Sequence, residues 1–145
     1  MAGALAVAAG AAVAVTALVP AGRQPGAQLA AWTVVKQADG NIYVTIRQFR
    51  DPAGLQARLR ADGVPASVTF TGQRNPACQP YPYRPGLMGK VVSIRLEARH
   101  TLTIIHPSAL PSGAGLQFLS SVRHQGSVKD VSLGLVQASP QCTGS

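Results

Sequence analysis

An uninterrupted apolar stretch opens the chain. From Ala2 to Val19 no side chain is charged and Thr16 is the only polar one; at 1.5 Å rise such a helix covers roughly 27 Å, close to the depth of a bilayer core. Only Leu5, Leu18, Val7, Val13, Val15 and Val19 are strongly apolar among many Ala, so hydropathy drives insertion weakly. Residues 1–20 are expected to be a transmembrane anchor or signal segment. A retained anchor is the preferred reading over a cleaved signal peptide, because Pro20 occupies the small-residue run Val19-Pro20-Ala21 and no Lys or Arg precedes the stretch. Arg23 alone would, by the positive-inside rule, put the C-terminal part in the cytoplasm. The cysteines point the other way, and a basic segment upstream of Ala2, absent from this sequence, is expected to restore the charge bias.

Residues 21–28 form a linker, with Pro and Gly breaking the helix. The folded domain is expected over residues 29–145. Trp32 to Val35 and Ile42 to Phe49 are β-branched and aromatic runs flanking Ala38-Asp39-Gly40-Asn41, a hairpin signal. Ile42, Val44 and Ile46 alternate with Tyr43, Thr45 and Arg47, the period of a half-buried strand. Asp51 caps a helix whose N1 is Pro52; Leu55 and Leu59 give it an apolar stripe and Gly63 ends it. A strand from Val64 to Phe70 follows, and the two strands flanking the helix are candidates for parallel pairing. Thr71 to Gly89 carries Pro76, Pro80, Pro82 and Pro85 and reads as a long irregular loop. Val91–Leu96, Leu102–Ile105, Leu116–Val122 and Val128–Val136 predict four more strands, with a turn through His124 to Ser127 between the last two. The fold class expected is α+β: one mixed β-sheet of six to seven strands with one covering helix.

Composition sharpens this. A domain of this size buries a real core, but only 5% of the residues are aromatic, so Val, Leu, Ile and Ala must build it. The net charge of +8 arises from ten Arg and three Lys spaced singly against five acids. Isolated cations on alternating positions read as solvated faces, so no nucleic-acid partner is expected; an anionic envelope ligand fits the charge better. Two cysteines 64 positions apart, Cys78 and Cys142, are the chain's only ones. Paired with an export segment they predict a disulfide, formed outside the cytoplasm.

Chemistry-bearing motifs are few. The chain has no G-x-S-x-G, Walker loop or H-E-x-x-H. Its carboxylates are largely assigned: Asp39 to a turn, Asp51 to a cap and Asp62 to a helix end, leaving Glu97 and Asp130. His100 and His106 share strand parity, but an extended segment between them separates the pair by about 20 Å, too far for one zinc ion. No catalytic residue, metal site or cofactor is therefore expected, and the protein reads as a non-enzyme. The expected contact surface is Arg74 to Arg84, where Tyr81 and Tyr83 alternate with Pro and are flanked by Arg74 and Arg84. Tyr and Arg are favoured interface residues; the competing reading is that the tyrosines pack down and the segment merely covers one end of the sheet.

The stretch from Ala38 to Val68 resembles the extracytoplasmic part of uncharacterised single-pass membrane proteins of actinobacterial type. Arg50-Asp51-Pro52 and Gly63-Val64-Pro65 carry the resemblance, which covers the first half of the domain. It implies a single-pass membrane topology with the domain outside, and it implies no activity. The function expected is a membrane-anchored binding or accessory module of the cell envelope, held in the membrane through Ala2 to Val19. The alternatives are a secreted protein, a small secreted hydrolase, or a purely structural envelope protein.

Overall fold

The computed structural model describes residues 30–98, 100–122 and 129–144. The anchor or signal segment, the linker and the His124 turn lie outside the described residues. Seven strands and one main helix place the domain in the expected α+β class. β1 (Trp32–Lys36) and β2 (Ile42–Ile46) form the anticipated antiparallel hairpin. Its turn is a three-residue loop: Gly40 N–H donates to the Gln37 carbonyl at 3.0 Å and Gln37 N–H to the Asn41 carbonyl at 2.8 Å. Gly40 adopts φ 88°, the left-handed position that such loops assign to glycine.

The helix α1 (Pro52–Ala61) begins and ends within a residue of its sequence signals. Asp51 accepts from Gly54 N–H at 3.0 Å, and Gly63 closes the other end at φ 92°. Leu55 and Leu59, one turn apart, are fully buried. β3 (Ala66–Thr69) follows. The irregular segment then ends in a short helix, α2 (Leu87–Val91), where the sequence suggested a strand beginning at Val91. β4 (Val92–Leu96), β5 (Thr101–Ile105), β6 (Ala114–Val122) and β7 (Lys129–Gln137) complete the chain.

The strands divide into two sheets, where the sequence reading expected one. The first, β1-β2-β5-β4, is wholly antiparallel; the second, β3-β6-β7, is mixed. The strands flanking α1 therefore do not pair. The cause is occupancy: β2 has β1 on one side and β5 on the other, so β3 runs parallel to β6 instead. The free side of β3 is blunted by α1, whose Gln56 side chain accepts from Val68 N–H at 3.0 Å.

One apolar cluster joins these layers. Ile42, Val44 and Ile105 of the first sheet meet Leu55 and Leu59 of α1, together with Ala66, Val68, Leu116 and Phe118 of the second sheet. The core is aliphatic as composition demands, with Phe118 its one fully buried aromatic among the described residues. The opposite face of the first sheet carries Asn41, Tyr43, Ile104, His106 and Ser93 by strand alternation.

Candidate functional site

The segment from Arg74 to Arg84 is anchored at several points. Cys78 and Cys142 form the expected disulfide, with Cα atoms 4.7 Å apart, and both are buried with Val136 in a small satellite cluster. Asn75 Nδ2 donates to the Gln141 carbonyl at 3.2 Å, a second tie to the C-terminal turn. Beyond the disulfide the chain runs against the outer edge of β7. Tyr81 N–H donates to the Leu135 carbonyl at 3.1 Å and Gln137 N–H to the Gln79 carbonyl at 2.8 Å. Pro80 stands opposite Val136 in this bridge. It fits because Gln79 and Tyr81 supply the hydrogen-bonding groups, so the missing N–H of proline is not needed.

This anchoring separates the two tyrosines. Tyr81 is half-buried, and the Arg84 guanidinium lies 5.8 Å from its ring centroid, within cation–π reach. Tyr83, two residues on, is 89% exposed. Arg74 and Arg84 are also exposed, and neither has an acidic partner among the described residues. The structure thus brings Tyr81 and Arg84 together beside Tyr83. Arg74, on the other side of the disulfide, has no ion pair or ring contact with them among the described residues.

The remaining residues singled out from the sequence fall elsewhere. Glu97 and His100 meet at 2.8 Å in the tight turn between β4 and β5, where Glu97 N–H also donates to the His100 carbonyl at 3.0 Å. Glu97 is exposed there and His100 partly so, which makes the pair a turn clasp. Asp130 lies on β7 opposite Ser121. Among the described residues no group of three or more His, Cys, Asp or Glu could hold a metal ion.

His106 belongs to an arrangement that sequence reasoning missed. Its Nδ1 lies 2.9 Å from Asn41 Oδ1, and its Nε2 lies 3.0 Å from Ser93 Oγ. Asn41 is itself fixed: its Nδ2 donates to Asp39 Oδ2 and its main-chain N–H to Asp39 Oδ1, both at 2.9 Å. The signal is the β2–β5 register, in which Ile42 faces Ile105 and Asn41 consequently faces His106. Neither residue hints at the other along the chain.

Comparison of the chain with protein-family models, with curated proteins and with solved structures finds no match, so the functional reading rests on the residues themselves.

Proposed function

We propose that the domain is an extracytoplasmic binding module, anchored through Ala2 to Val19 at the cell membrane, and that it recognises an envelope protein through the Arg74–Arg84 segment. The observation that carries this reading is Tyr83, 89% exposed two residues beyond Tyr81, on a segment that the disulfide and the bridge to β7 fasten just before it. An aromatic side chain presented on preordered backbone offers contact area at little entropic cost on binding. The guanidinium groups of Arg74 and Arg84, which have no acidic partner among the described residues, add affinity for acidic or phosphate-bearing partners. The disulfide supports the location, since such bonds persist outside reducing cytoplasm.

Tyr81 and Tyr83 have different roles in this account, and alanine substitution separates them. Tyr83→Ala is expected to leave thermal stability within about 0.5 kcal/mol of the wild type, as for surface positions generally, while lowering recovery of the partner from cells. Tyr81→Ala is expected to lower stability as well. A large loss of melting temperature from Tyr83→Ala would instead make the segment a cover for the sheet.

A further inference from the structure

The polar chain on the outer face of the first sheet has a defined direction. An ionised Asp39 carboxylate only accepts, so the Asn41 group facing it is the amide NH2 and the group facing His106 is the carbonyl oxygen. That oxygen also only accepts, which puts the imidazole proton on Nδ1. In the neutral imidazole Nε2 is then the lone-pair nitrogen, 3.0 Å from Ser93 Oγ and placed to accept its hydroxyl proton. A base aligned on a hydroxyl, and itself oriented by a third side chain, is the arrangement that activates a serine.

The surroundings indicate what would meet it. Val35, Tyr43, Ile104 and Ser93 are direct cross-strand partners and so form one row across the four strands of this face. Val35 is 50% exposed, Tyr43 and Ser93 are half-buried and Ile104 is buried beneath them, so the row is apolar and opens to solvent at its Val35 end. β4 is an edge strand among the described residues. Because His106 N–H donates to the Val91 carbonyl and Glu97 N–H to the His100 carbonyl, the odd-numbered residues of β4 turn their main-chain groups toward β5. The N–H of Ile94, the residue after Ser93, is directed away from the sheet.

We propose that Ser93 is a base-activated nucleophile whose substrate class is a carboxylic ester with an apolar acyl group. Ser93 Oγ attacks the acyl carbon as its proton passes to His106 Nε2. The bond to the alcohol oxygen then breaks, and the departing alcohol takes that proton. Water, deprotonated by the same nitrogen, releases the carboxylic acid and restores Ser93, for a net reaction of ester and water to acid and alcohol. The acyl chain runs over Tyr43 toward the exposed Val35, and Ile94 N–H is the main-chain donor next to the developing oxyanion. Asn41 is a positioning residue, acting through His106.

The test uses the oxidised protein and an alkyl fluorophosphonate, from which a serine displaces fluoride, with the adduct located by peptide mass spectrometry. Native protein is expected to be labelled at Ser93, and urea-unfolded protein at least tenfold more slowly. His106→Gln is expected to slow labelling about a hundredfold, the scale of general-base assistance. Imidazole 15N spectra are expected to show His106 protonated at Nδ1 in the wild type and not held in that form in Asn41→Leu. Absence of a Ser93 adduct on the native protein overturns the proposal, as does equal labelling of native and unfolded chains, a comparison that requires no variant to fold.

Discussion

Asp51 is the only non-glycine residue among those described with a positive φ, at 54°. A left-handed aspartate costs about 1 kcal/mol, and here three contacts hold it. Its side chain caps Gly54 N–H, its carbonyl accepts from Leu55 N–H at 3.2 Å, and the same carbonyl accepts from Trp32 Nε1 at 3.2 Å. Asp51→Ala removes the cap and keeps the strained backbone, so a loss of about 2 kcal/mol is expected in urea denaturation; Asp51→Gly relaxes the backbone and is expected to cost less. The same cap explains Gly54: a methyl group there would collide with the Asp51 carboxylate. The usual gain of up to about 1 kcal/mol from replacing a helical glycine by alanine is therefore not expected for Gly54→Ala. Gly115 has a different reason to be glycine. A Cβ would sit 2.9 Å from Thr143 Cγ2 and 3.0 Å from the Pro65 carbonyl oxygen, and Thr143 is fully buried. Gly115→Ala is expected to destabilise by about 1–3 kcal/mol, the range for overpacking, measurable as a shift in the denaturation midpoint at unchanged slope.

At the scale of elements, the Arg74–Arg84 segment depends on its ties more than on its own packing. Closing a loop of 64 positions should stabilise the domain by about 4 kcal/mol in the chain-entropy model. A double Cys78→Ser, Cys142→Ser variant is expected to lose stability on that scale and to become sensitive to protease within residues 71–86, both readable by limited proteolysis and thermal denaturation. Local elements of this kind were legible in the sequence. The Asp39-Gly40 turn, the Asp51-Pro52 start, the Gly63 stop and the lone cysteines each act through chemistry within a few residues or through scarcity. Sheet membership was not legible, because it depends on which strand takes the second edge of β2, and that partner, β5, lies far along the chain. The short α2 escaped notice because it follows a proline-rich stretch and has no side-chain cap. Within the Arg74–Arg84 segment, the division between a half-buried Tyr81 and an exposed Tyr83 was not legible, because it exists only once Tyr81 N–H reaches Leu135.

At the scale of the whole molecule, the two sheets and α1 enclose one aliphatic core among the described residues, and the surface features lie apart from it. The segment bearing Tyr83 is fastened to β7 of the second sheet, whereas Ser93 and His106 belong to the outer face of the first. The proposed binding and ester chemistry therefore rest on separate elements, and a Tyr83 variant is expected to leave Ser93 labelling unchanged. The excess of Arg and Lys is spaced singly along the chain, which suits solubility and attraction to an anionic envelope more than tight recognition of one polyanion. The central claim is that this domain works outside the cytoplasm by presenting Tyr83 to a protein partner. The most direct measurement places a photo-crosslinking amino acid at position 83 of the native full-length protein in its own cells, with the cysteines alkylated at lysis and both products identified by mass spectrometry. The account predicts an envelope-associated adduct with one partner protein and a Cys78–Cys142 bond closed to alkylation. Recovery of an uncrosslinked cytoplasmic species with both thiols free would contradict it.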